Sequence, residues 1–379
     1  MRRLFSRNQV YIVTALLLAA FVGVGTLMLR QHTHMPGPDA WDTDFTRRQV
    51  EMGEIVAIGE KDGMTPIDQP QWQPAQDVHW LADRSPVIAL HLDDPARAYP
   101  LAVLIQHGVV NDTTASAAVA VTFCPLCNSP VVYDRTLNGK TLRFGTTGTI
   151  RNSGMVMWDD ATQSWWQQLT GEAIVGAYSG ARLKVVPSQV VGFATFRQRY
   201  PDGVVLVGDA SRPPMSYGRN PYIGYDSSLQ PFMFTGVIDS RLPATERVLA
   251  GLIDGQPMAY PYTLLSASKV LNDIVGSSPV VAFWQAGAAS ALDAASIDES
   301  RDVGMAALFS ALVEGRRLTF SVRSGAIVDD QTGSVWNIFG EAISGEMKGM
   351  MLMPYNAYPY FWFAWAANYP HTLVYEPPP

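Results

Sequence analysis

Cysteine is nearly absent. The 379 residues contain two, which excludes a disulfide-stapled scaffold and leaves a zinc ribbon without its second cysteine pair. Charge is also sparse: 16% of residues are charged, the net charge is −7, and no Lys/Arg stripe runs through the body. That excludes a nucleic-acid binder, whose footprint is a clustered basic surface. No G-x-S-x-G, Walker, H-E-x-x-H or G-x-G-x-x-G arrangement occurs, so the common hydrolase, nucleotide, zinc-protease and dinucleotide signatures are missing. Apolar material is plentiful at 47%, and the length suits about two domains of roughly 100–200 residues. Gly 31 and Pro 26 point to many turns and short strands.

Val10 to Leu29 is an apolar run preceded by Arg2, Arg3 and Arg7. Its length fits a membrane-spanning helix, and the flanking charge predicts a cytoplasmic N-terminus. It exceeds a normal signal-peptide core, and no clear A-x-A site follows. The expectation is a single-pass anchor in a bacterial inner membrane with the body in the periplasm, where a cysteine pair can be oxidised. The domain boundaries read as an anchor over 1–30, a polar stalk with leading strands over 31–77, and a first repeat over 78–209. A Pro/Tyr/Gly-rich bridge over 210–245 and a second repeat over 246–379 follow. Pro66, Pro70 and Pro74 forbid a long helix in the stalk.

The repeats share an ordered series of motifs. Ala98-Tyr99-Pro100 and Asn111-Asp112 return as Ala259-Tyr260-Pro261 and Asn272-Asp273. Val119–Phe123 returns as Val280–Trp284, and Asn138-Gly139, a strong hairpin signal, matches Glu314-Gly315. Asp159, Thr162, Ser164 and Trp166 match Asp329, Thr332, Ser334 and Trp336. The predicted fold is mainly β (α+β): two homologous antiparallel β-rich repeats with short helices, after the N-terminal transmembrane helix. Groups kept in both copies read as scaffold, with the Asp/Thr/Ser set capping a turn.

Three features belong to the first copy alone. Cys124-Pro125-Leu126-Cys127 gives way in the second copy to an Ala-rich insert from Gln285 to about Val303, and His107 aligns with Ser268. The stretch between Phe144 and Asp159 is longer than that between Phe320 and Asp329, with the extra residues around Asn152, Ser153 and Met155. Coincident loss is what a dismantled site would leave.

The cysteines precede Asn128-Ser129-Pro130, a turn and then a strand. A thiolate stabilised by a long helix is therefore not expected. The spacing suggests a rubredoxin-like knuckle in which backbone N–H groups turn toward sulfur. A catalytic set of Cys124, Cys127 and His107, with Asn152, Ser153 and Met155 lining the pocket, is one reading. A soft-metal site for Cu(I) or Zn on Cys124, Cys127 and His107 is a second. A structural disulfide in an assembly protein is a third, and His107 also fits a core histidine. Met347 to Met353 reads as core packing, and the aromatic run Tyr355 to Trp365 as core or interface.

Together, Ala98-Tyr99-Pro100, Cys124-Pro125-Leu126-Cys127, Asn152-Ser153, Trp166-Gln167, Tyr217-Gly218-Arg219-Asn220-Pro221-Tyr222 and Arg241-Leu242-Pro243 resemble domain-of-unknown-function family 3179. The likeness covers most of the chain after the anchor. It implies redox chemistry at Cys124 and Cys127, because some relatives carry selenocysteine in that motif. Asn128 departs from the glycine usual after the second cysteine. The leading expectation is a membrane-anchored extracytoplasmic thiol/disulfide protein, with a redox or metal-transfer protein as partner and no nucleic acid. A cofactor is either absent or a soft metal.

Overall fold

Prolines and β-branched residues keep every element short. The computed structural model describes residues 40–213 and 215–377, and these are mainly β with four seven-residue α-helices. The helices are α1 (Leu101–His107), α2 (Phe193–Arg199), α3 (Tyr262–Ser268) and α4 (Trp362–Asn368). Pro100 and Pro261 stand immediately before α1 and α3, where a missing N–H costs nothing. Among the described residues no helix is long and apolar enough to cross a membrane. The expected anchor Val10–Leu29 lies outside the described residues.

The strands that build the site are β1 (Ile55–Ala57), β2 (Ala118–Cys124), β3 (Ser129–Asp134), β4 (Phe144–Arg151), β5 (Gly154–Asp159) and β6 (Trp165–Gln167). Their counterparts further along are β7 (Ser278–Gln285), β8 (Met305–Ser310), β9 (Phe320–Arg323) and β10 (Ala326–Asp329). Among the described residues strand pairing is antiparallel except where Val204–Val205 meets Arg97–Ala98 and where Met258–Ala259 meets Leu373–Val374, and an isolated parallel bridge joins Ile67 to Val110. The same order of elements runs from Pro86 to Asp209 and again from Arg247 to Val374.

Side-chain bonding repeats with the strands. Tyr99 Oη donates to Asp112 at 2.6 Å, and Tyr260 Oη donates to Asp273 at 3.0 Å. The amide of Asn111 brackets the backbone of Phe144, and that of Asn272 brackets Phe320. Asp159 accepts from the N–H of Thr162 and from Trp166 Nε1, as Asp329 does from Thr332 and Trp336. Buried carboxylates with all acceptors occupied are structural anchors of a turn.

The two halves pack reciprocally. The strand Gln189–Gly192 lies against β8, while its counterpart Ala357–Phe361 lies against β3, the counterpart of β8. Tyr358 Oη donates to Val186 O across this seam, and the aromatic run is buried there. One apolar core passes through both halves. The methionine stretch differs from expectation: Leu352 is buried, but Met351 and Met353 are exposed because that edge has no cover.

The stretch read as a stalk is, from Trp41 on, wrapped against the first half. Trp41 stacks edge-on to Trp158 and Trp165, β1 adds to the edge of β4, and Ile67 is fully buried beside Val110. Three apolar anchors in an otherwise polar stretch suffice to dock it. The Ala-rich insert also packs, with Ser290 bonded to Asp226 of the bridge and to Arg247.

Candidate functional site

Strand β2 ends at Cys124, and Pro125–Cys127 make one 3-10 turn before β3 returns antiparallel. Asn128 closes the turn at φ 48°, ψ 44°, a left-handed conformation that asparagine tolerates. Both cysteines are free and buried, at 1% and 0% exposure. The Met155 N–H donates to the Cys124 sulfur at 3.4 Å, and the N–H groups of Cys127 and Leu126 in the turn add smaller contributions that favour its thiolate. These are the backbone donors expected of a knuckle.

Burial pushes the Cys124 thiol up, but the Cys127 thiol and the three N–H donors outweigh it, so Cys124 is more acidic than an ordinary thiol. Cys127 is driven the other way, by burial first and then by the adjoining Cys124 sulfur. Two buried sulfurs side by side cannot both ionise; the first proton lost belongs to Cys124.

A polar chain fixes the Cys127 proton. Thr122 Oγ1 donates to Val131 O, so Gln168 Nε2 donates to Thr122 and to Ser129 O, at 2.7 and 3.0 Å. That orientation turns Gln168 Oε1 toward Ser129 Oγ, which donates to it at 2.6 Å. The Ser129 oxygen, 3.2 Å from Cys127 Sγ, is left to accept. The Cys127 thiol can thus give its one proton to Ser129 Oγ, or to the adjoining Cys124 sulfur once that sulfur is a thiolate.

The extra length of the β4–β5 hairpin builds the rest. Asn152 and Ser153, at φ 51° and 60°, form its tip, where the shorter hairpin of the second half turns at Ser324-Gly325. The added residues of β4 pair with β1, Thr149 with Ala57 and Arg151 with Ile55. The loop after β1 is pinned by Asp62, whose carboxylate accepts from Thr146 N–H and Trp158 Nε1 and pairs with Arg143. Between this loop, the hairpin and the Cys turn lies a cavity of about 270 Å³. Cys124, Leu126, Met64, Ile150 and Met155 line it, with Tyr222 of the bridge closing one side.

Of the expected site residues, Cys124, Cys127 and Met155 come together. Ser153 is buried but faces the bridge, donating to Phe232 O at 2.5 Å, and Asn152 sits half-buried at the hairpin tip. Neither lines the cavity, because the two tip residues of a hairpin point away from the strand that carries Met155. His107 is corrected more fully. Its Nδ1 is 2.7 Å from Thr65 O and its Nε2 is 3.1 Å from Tyr217 Oη, and its ring lines a different cavity with Trp80 and Asp209. Only the backbone of Gly108, the next residue, abuts Met155. Among the described residues no group of three or more His, Cys, Asp and Glu could hold a metal. The metal set Cys124, Cys127 and His107 is therefore not assembled.

Gln167 is a residue that sequence reasoning passed over. It is 1% exposed, yet both its Nε2 and Oε1 lack a partner. A Cβ placed on Gly154 would lie 2.9 Å from Gln167 Nε2 and 3.7 Å from Cys127 Sγ, so the free amide lies near the thiol pair without lining the cavity. Asn337, its counterpart, is fully bonded to Glu341 and Phe339. A Gln/Asn difference carries no signal in a sequence.

A family model described as a protein of unknown function (DUF3179) matches residues 61–372, which include the whole thiol site. No curated protein and no solved structure matches the chain.

Proposed function

The chain belongs to the DUF3179 family, and we propose that it is a thiol redox protein in which Cys124 and Cys127 cycle between dithiol and disulfide. The observation that carries this reading is the division of labour in the pair. Cys124, at a cavity wall, is held acidic by the Cys127 thiol and then by backbone N–H groups led by that of Met155, while Cys127 keeps its proton. A thiolate nucleophile beside a protonated resolving thiol is the arrangement that disulfide formation and exchange require. A merely structural cysteine pair has no need of donors to one sulfur or of a cavity beside it.

The apolar run Val10–Leu29 with its arginine flank supports a further part of the proposal, a body held outside the cytoplasmic membrane. Fusing a periplasm-dependent reporter enzyme to the C-terminus tests this; an inactive reporter rejects it.

The redox reading is tested by equilibrating the full chain in dithiothreitol buffers and counting free thiols. A reversible disulfide with a potential above about −300 mV, lost in Cys127→Ser, is expected. A potential below about −300 mV with no exchange makes the pair a structural bond. A stoichiometric metal that disappears in Cys127→Ser rejects the cycle as the principal role.

A further inference from the structure

We propose that the oxidant of Cys124 is a small, uncharged organic hydroperoxide entering through the cavity, and not the disulfide of a folded protein. This rests on the dithiol reading above and adds the substrate class. Disulfide exchange brings the incoming sulfur to bonding distance of the attacking one, about 2.05 Å. Cys124 at 1% exposure and Cys127 at 0% offer a folded partner no such approach. What reaches the Cys124 sulfur is the cavity.

Its size and walls select the guest. At about 270 Å³ it has room for roughly nine waters at about 30 Å³ each, enough for an organic group of several carbons. The walls are Met64, Pro125, Leu126, Ile150 and Met155, with Glu60 the one charged residue in the lining. A tripeptide disulfide such as oxidised glutathione is larger and would bring several carboxylates against apolar walls, a desolvation that nothing there repays.

The chemistry balances within the pair. The Cys124 thiolate attacks the terminal oxygen of ROOH; the O–O bond breaks, and the alkoxide leaves as ROH with the Cys127 proton. The sulfur, now a sulfenic acid, has lost two electrons to oxygen. The Cys127 thiolate attacks it, the S–S bond forms, and hydroxide departs to be protonated by solvent. A dithiol small enough to enter the same cavity returns two electrons and two protons, and closes the cycle as its own disulfide.

The test uses the full chain, reduced and desalted, with disulfide formation followed by intact mass and thiol count. Cumene hydroperoxide is expected to oxidise the pair at least about tenfold faster than hydrogen peroxide, since burying two extra methylenes already accounts for such a factor. Oxidised glutathione is expected to react at least about a hundredfold more slowly than cumene hydroperoxide, the loss expected when two tenfold steps of binding are missing. Gly59 lines the cavity, and a Cβ there meets nothing within 4 Å, so Gly59→Phe is compatible with the fold. It should narrow the cavity and slow cumene hydroperoxide more than hydrogen peroxide, so that the preference between the two falls. Equal rates with the two peroxides, glutathione disulfide as fast as cumene hydroperoxide, or an unaltered preference in Gly59→Phe overturns the proposal. A pair that cycles in dithiothreitol but fails these comparisons loses only the substrate class. A pair that forms no reversible disulfide loses the redox reading as well.

Discussion

Replacing Cys127 by alanine should make Cys124 a weaker acid. The acidity of Cys124 is raised first by the Cys127 thiol and then by the N–H groups of Met155, which donates to it at 3.4 Å, Cys127 and Leu126. Alanine removes only the thiol and leaves the backbone turn in place. A hydrogen bond to a charged group contributes about 1.5–3 kcal/mol, and about 1.4 kcal/mol corresponds to one pH unit. The Cys124 titration should therefore rise by about one to two units. Cys127→Ser keeps a hydroxyl donor at the same place and should shift less. Each variant has a single cysteine, so the ultraviolet absorbance of the thiolate, followed against pH, reports Cys124 alone and needs no reagent to reach it. If alanine and serine variants titrate together, the side chain at 127 is not the donor. If the alanine variant titrates below the wild type, the acidity of Cys124 has been assigned to the wrong cause.

Other consequences are equally direct. His107 titrates below its usual value because of burial, opposed by the Thr65 carbonyl and reinforced by Arg212. It is neutral in the fold, so its contribution to stability is complete above the unfolded value near 6.5 and is lost as pH falls toward the folded one. His107→Gln should flatten the urea-stability curve below about pH 6.5 and leave the thiolate titration unmoved; a shift in the thiol would restore His107 to the site. Asp159→Asn and Asp329→Asn each place an amide donor against Trp and Thr donors. Each should cost about 1–3 kcal/mol in urea unfolding and leave the disulfide potential unchanged, whereas a potential moved by Asp159→Asn alone contradicts a purely structural turn. Gln167→Leu removes two buried, unpartnered polar atoms and should raise stability by up to about 2 kcal/mol. A loss of that size instead would mean the amide has a partner in solution.

Much of the fold was legible because the same motifs recur in order in both halves. Asn111, Asp112, Asp159 and Trp166 have counterparts in the second half, and the structure gives each pair the same bonds. The Cys turn and the longer hairpin were legible as differences between copies. His107 satisfied the same criterion and misled, because its backbone neighbour Gly108 lies against Met155 while the ring turns to Thr65 and Tyr217. Which way the last side chain of a seven-residue helix points is a tertiary matter that spacing does not encode. The wall over Ile58–Met64 was not legible at all, since it lies ahead of the repeats and has no second copy to contrast with.

That single copy explains why the site occurs once. In the first half the hairpin edge is extended and occupied by β1, whereas β9 is the uncovered edge of its sheet. A cysteine turn set beside the short hairpin would have neither the Met155 N–H, which comes from the extended region, nor the wall after β1. Exposed to water, the N–H donors of a turn have competition and a thiol keeps nearly its ordinary acidity. The distinctive chemistry of Cys124 therefore resides less in the Cys-x-x-Cys spacing than in the conjunction of that turn with a lengthened hairpin and a leading strand. The insert of the second half takes the vacated position for another purpose: its Ser290 joins Asp226 and Arg247 in a buried network that ties bridge to scaffold. The same loop position thus carries the cysteine pair in one half and an interface in the other, and the shared bonds beneath it permit either.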